Sequence, residues 1–158
     1  ISFHRRYFVQ KNKIIFIVCV LIVIILFFYW VSIRENRLIA LHNRQLKQTL
    51  TSIDTSQETI TLDTIIPFDW DMVYTFAPYT SKEEIEKTIG LYSDVIQETI
   101  SEGMVQLIFV NNDTITAYVC GYAEDLGYQI IFGDMILFGD DIIFSVTKTD
   151  EIITLTAQ

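Results

Sequence analysis

The chain has 158 residues, room for one membrane anchor and one small domain, and a formal net charge of −9 at pH 7. That charge is split: residues 1–50 hold eight Lys/Arg and one acid, Glu35, whereas residues 51–158 hold 19 Asp/Glu and three Lys. So acidic a segment is repelled by nucleic acid, which argues against DNA or RNA as a partner, and its lack of His excludes His-based triads and His metal sites within it.

A basic tail, residues 1–13 with Arg5, Arg6, Lys11 and Lys13, opens the chain; Ile1 is not a start methionine, so the true N-terminus is expected upstream. Ile14–Val31 then runs for 18 residues without a charge. As a helix it spans roughly 27 Å, against a hydrocarbon core of about 30 Å, so a transmembrane helix over 14–31 is expected. The run is longer than a signal-peptide core and exits through Phe27, Phe28, Tyr29 and Trp30 rather than a small-residue cleavage site. Val18 before Cys19 does not suit lipidation, so the run reads as an uncleaved signal anchor of a single-pass protein. Tyr29 and Trp30 suit the interface, and the flanking cations suit anionic headgroups, which makes the lipid bilayer one partner. Arg34, Arg37, Arg44 and Lys47 nearly balance the cations before the run. The undiluted N-terminal cluster favours an inside N-terminus and an extracytoplasmic acidic domain; the reverse would translocate four cations.

Residues 32–57 read as a juxtamembrane helical spacer and a short polar linker. Residues 32–50 lack Gly and Pro; Ile39, Leu46 and Ile53 lie seven apart, which suggests a spacer helix or a short dimerising seam, with His42 an exposed bystander. Residues 58–158 form the acidic domain. A strand is expected over 58–66 and a second over 72–76, stopped by Ala77-Pro78. Ser81-Lys82-Glu83-Glu84 is a capping box opening a helix that puts Ile85 and Ile89 on one face and ends at Gly90. A second short helix is expected over 93–101, with Val95, Ile96 and Ile100 inward. From Met104 onward strand follows strand across short turns, the first at Asn111-Asn112-Asp113. The fold class is α+β: a transmembrane helix followed by an antiparallel β-meander with one or two helices.

Little in the chain carries chemistry. The two cysteines, Cys19 in the apolar run and Cys120 in the acidic part, give no disulfide framework and no metal spacing, and there is no Gly-rich phosphate loop. No catalytic, cofactor-binding or metal-binding residue is assigned. The carboxylate pairs Asp69/Asp71 and Asp140-Asp141 lack calcium-loop spacing and read as solvated turn acids. Phe68, Trp70, Tyr74, Phe76 and Tyr79 crowd twelve residues around Asp69 and Asp71. Either alternate aromatics pack as core, or Asp69, Trp70, Asp71, Tyr74 and Tyr79 form a contact patch for a basic protein.

The stretch from Phe68 to Glu86 (FDWDMVYTFAPYTSKEEIE), with the closing DDIIFSVTKTDEI, resembles small membrane-anchored or secreted proteins of low-GC Gram-positive bacteria that share a WD-x-VY-x-F-x-PYT segment. The likeness covers roughly residues 60–155; it implies an extracytoplasmic α+β domain and brings no established activity. The expected function is that of a non-catalytic membrane protein displaying a protein-binding domain, as an immunity-type inhibitor or accessory subunit. The alternative is a structural or assembly component acting through its helix and spacer; a third reading is a hydrolase using Asp69, Asp71, Asp140 or Asp141.

Overall fold

A computed structural model describes residues 2–56 and 58–158, with side chains from Phe16 onward apart from Gln57. The chain divides into two compact units, Ile1–Arg37 and Leu38–Gln158. Helix α1, Ser2–Thr51, contributes to both. In the first unit the side chains from Phe16 to Trp30 are all exposed, so among the described residues nothing covers that part of the apolar run. The helix is long and apolar enough to cross a membrane, as an anchor or a signal sequence would. Arg34 lies over the Trp30 ring, 5.8 Å from its centroid.

The second unit is α+β, with two four-stranded sheets. One has the order β1 (Thr59–Thr61), β7 (Ile143–Thr149), β8 (Ile152–Ala157), β5 (Tyr128–Ile131). The other has the order β4 (Thr114–Tyr122), β3 (Met104–Asn111), β2 (Met72–Tyr74), β6 (Met135–Leu137). Three short helices join them: α2 (Leu62–Ile65), α3 (Lys82–Ile89) and α4 (Ala123–Leu126). Antiparallel pairing dominates, and consecutive strands pair at β2–β3, β3–β4 and β7–β8; the meander is interrupted where the chain crosses between sheets around β5 and β6. That crossing leaves β5 parallel to β8.

Side-chain alternation explains the layers. Val73, Leu107, Phe109, Ala117 and Val119 of the β4-containing sheet share one core with Ile60, Phe144, Ile153 and Leu155 of the other. The opposite face of the β4-containing sheet carries Tyr74, Ile108, Val110 and Tyr118, covered by Ile85 of α3 and by Ile96. Strand β3 is thus buried on both faces, which is why Gln106–Val110 reads as a nearly unbroken apolar run. At the β3–β4 turn Asn112 and Asp113 both have positive φ (46° and 58°), the twist-matched geometry of a two-residue hairpin.

Several expectations need correction. The acidic domain does not begin at 58, nor is 32–57 a mere spacer: Leu46 and Leu50 of α1 are fully buried in the main core, and Ile39 in the second cluster. The heptad of Ile39 and Leu46 is therefore satisfied within the chain, not by a dimer seam. The strand expected over 58–66 ends at Thr61, where Thr64 Oγ1 donates to the Thr61 carbonyl (2.8 Å) and α2 turns Leu62 into the core. The second helix, over 93–101, does not form. Gln97 N–H bonds the Tyr118 hydroxyl (2.9 Å), and Gln97 O accepts from Gln106 Nε2 (2.8 Å) and Tyr118 Oη (3.0 Å). Those main-chain groups serve the sheet and are lost to a helix; Ile96 is buried as expected, but Ile100 is 77% exposed. Helix α3 forms as its caps dictate. Ser81 Oγ accepts from Glu84 N–H (3.3 Å) and Gly90 closes the helix at φ 74°.

Candidate functional site

The segment Pro67-Phe68-Asp69-Trp70-Asp71 runs from α2 into β2 and lines a surface cleft of about 670 Å³. Pairing at the end of β2 aims its residues. Asp71 N–H donates to Val110 O (2.8 Å) and Asp71 O accepts from Phe138 N–H (2.8 Å), so Asp71 is held on both sides by the flanking strands. Just before β2 begins, Trp70 turns inward, 4% exposed, into the core that holds Val73, and Asp69 and Asp71 stay outward. The Trp70 ring meets Phe109 (6.0 Å, 88°) and Phe138 (5.5 Å, 83°) edge to face. Phe68 stands edge-on to Phe109 (5.3 Å) and lies flat on His42 (4.4 Å, 6°). The aromatic wall of the cleft is thereby braced from α1.

Three carboxylates border this wall. Asp71 Oδ2 accepts from Asn112 N–H (2.7 Å), which ties the cleft to the β3–β4 turn. Asp63 Oδ2 accepts from Gly139 N–H (2.9 Å). Asp69 is exposed. Two of the three are each engaged through one oxygen by a main-chain donor, and their remaining oxygens and Asp69 are available to a cation. Asn111, Asn112 and Phe138 were not foreseeable site residues, since Asn112 meets Asp71 across 41 positions and Gly139, beside Phe138, meets Asp63 across 76; Asp63 is near in sequence but joins the cleft only because α2 forms.

The five contact candidates separate. Asp69, Trp70 and Asp71 meet at the cleft. Tyr74 is instead buried (9% exposed) on the other face of its sheet, stacked on Phe76 at 6.3 Å. Tyr79 is 64% exposed outside the cleft lining, with φ 67° and its N–H bonded to Thr99 O (3.1 Å). One continuous patch of all five is therefore not present: Trp70 and Tyr74 are core residues, because both faces of β2 are covered. Asp140 and Asp141 are turn residues; Asp140 Oδ2 accepts from Leu137 N–H (2.8 Å) and Asp141 has φ 51°. Among the described residues no group of three His, Cys, Asp or Glu side chains could hold a metal ion.

His42 is not a bystander. Its Nδ1 lies 2.8 Å from Thr116 O, at the residue that bulges from β4 between the pairs Phe109–Ala117 and Val110–Ile115. Its only sequence signal was a polar ring on an otherwise apolar helix face. A scan against protein-family models and searches of curated proteins and of solved structures find no match to this chain.

Proposed function

We propose that this is a single-pass, non-catalytic membrane protein whose second unit is displayed outside the cytoplasm and binds a basic protein, as an immunity-type inhibitor or accessory subunit does. The observation that carries this reading is the cleft itself, a preformed aromatic wall rimmed by three carboxylates on a unit with few cations. A Lys or Arg inserted there meets the exposed Phe138 ring, which Trp70 backs from the core, for stacking and the carboxylates for charge-assisted bonds. Membership of the Gram-positive group with the WD-x-VY-x-F-x-PYT segment belongs to the same proposal. Its support is the role of that segment in forming β2 and the cleft.

Two measurements test it. A protease-sensitive tag on Gln158 is expected to be cleaved on intact cells; a tag protected until lysis rejects extracytoplasmic display. A photo-cross-linking residue at position 138 is expected to capture a basic partner, and Asp69→Lys to abolish capture without changing the melting temperature. Capture unaffected by Asp69→Lys rejects the cleft as the contact. The assembly reading, in which helix and spacer act alone, instead requires that removing residues 58–158 leaves function intact. Such a truncation uncovers Leu46 and Leu50, so the remaining helix must gain other partners.

A further inference from the structure

Helix α1 covers the edge of β4, but only in part. The Asn43 carboxamide takes both outward main-chain groups of Tyr118, with Nδ2 donating to its O (2.6 Å) and Oδ1 accepting from its N–H (3.1 Å). In an antiparallel strand such outward groups recur at every second residue. The next pair belongs to Cys120, which faces Gln106 just as Tyr118 faces Ile108. Strand β4 ends its sheet, so among the described residues no strand extends the ladder at Cys120.

Beside Cys120 a cavity of about 590 Å³ opens between α1 and β4, lined by Arg44, Lys47, Val95, Tyr118, Cys120 and Leu126 among others. Arg44 and Lys47 are exposed at this cavity and supply two of the five cations in residues 38–158, against 19 acids. Among the described residues neither joins a carboxylate, whereas Lys82 and Lys148 each do. Lys47 Nζ donates only to the main-chain O of Asp125 (2.9 Å). This open strand edge is thus also a place where positive charge without a carboxylate partner collects.

We propose that this cavity binds the free C-terminus of an extended peptide with an apolar last residue. Asn43 already presents a donor beside an acceptor to Tyr118, and the last residue of a peptide presents the same pair to Cys120. Its amide N–H donates to Cys120 O, and its carboxylate accepts from Cys120 N–H while meeting Arg44 and Lys47. The last side chain enters toward Val95 and Leu126. The occupant is a peptide end because the site asks for a strand-spaced donor and a carboxylate together. This site is separate from the acidic cleft and does not depend on it.

The test uses the full chain in lipid nanodiscs with Cys19→Ala, so that Cys120 is the reporter thiol. Its alkylation rate by iodoacetamide is measured with acetyl-Ala-Ala-Leu as the free acid and as the C-terminal amide. The free acid is expected to slow alkylation in a saturable way and to slow hydrogen exchange at Cys120 N–H; the amide is not. Arg44→Gln is expected to raise the half-protecting concentration about tenfold, the loss of one charge-assisted contact, and Arg44→Lys to recover part of it. Equal protection by acid and amide, protection by neither, or full protection by benzoate alone overturns the proposal. So does an unchanged half-protecting concentration in Arg44→Gln.

Discussion

At the scale of single residues, neighbours in one short segment carry opposite duties. Trp70 is a core side chain between Phe109 and Phe138, whereas Tyr79 is solvent-facing. Trp70→Ala is expected to cost about 3–5 kcal/mol in denaturant unfolding, while Tyr79→Ala stays within about 0.5 kcal/mol. Alternation showed that Asp69 and Asp71 share a face opposite Trp70, but left open which of the two sides is wet. The burial of Tyr74 was not legible, because period-two reasoning presumes one wet face and β2 has none.

Tyr118 adds a pH dependence. Burial raises its hydroxyl from 10.0 to about 12, partly offset by hydrogen bonds with Gln106 and Gln97. Burial likewise pushes Tyr128 up. Raised folded-state values mean the unfolded chain ionises first. Stability is therefore complete below about pH 10 and falls as pH rises from 10 toward 12. Urea midpoints at pH 8, 10 and 11 are expected to decline in that order, and Tyr118→Phe to flatten the decline. The same variant orphans the Gln97 N–H and carries a fixed cost at every pH.

At the scale of elements, the helix with both a side-chain N-cap and an αL terminator was readable, whereas α4, which ends at Gly127 in αL but has no side-chain cap at its start, was not. Helix α3 carries its own N-cap, Ser81, and its own αL terminator, Gly90, so its bounds follow from local chemistry. Segment 93–101 has helical-looking spacing and Gly103 just after it, but Tyr118 and Gln106, close in space and more distant in sequence, claim the Gln97 main chain. The second half of α1 is the informative case. Asn43 caps an exposed strand edge in place of a neighbouring strand, a protection that edges of this kind need. Asn43→Ala is expected to leave both Tyr118 groups unpaired, costing about 1–3 kcal/mol and accelerating amide exchange at Tyr118. Unchanged exchange there would count against the edge-capping role.

At the scale of the whole molecule, the compact unit starting at Leu38 is a whole only with its part of α1. Leu46 and Leu50 lie in the core that both sheets share. Each buried leucine removed costs about 2–5 kcal/mol, against a typical total stability of about 5–15 kcal/mol. A chain beginning at residue 58 is therefore expected to lose cooperative unfolding and amide protection, whereas one beginning at residue 38 keeps both. A residue-58 chain with native-like exchange would show that α1 is dispensable to the fold. Charge acts at this scale too. Binding of a basic partner to the cleft should weaken as salt rises, since Asp69 at its rim is solvent-screened.

The sequence by itself determined what depends on neighbours in the chain: the apolar run of 14–31, the capped helix α3, the hairpin at Asn112-Asp113, the strand-rich α+β class and the split of charge. These follow from periodicity, capping and turn chemistry, which are local. Tertiary structure alone decided that the spacer is core, that the strands divide into two sheets with β5 parallel to β8, and that Asp63 and Phe138 join Asp69-Trp70-Asp71 at one cleft. It also decided that His42 and Asn43 finish a strand edge more than seventy residues away. The physical reason is that a main-chain donor or an apolar face must be satisfied by whatever packs beside it, and its identity is a property of the folded chain rather than of any stretch of it.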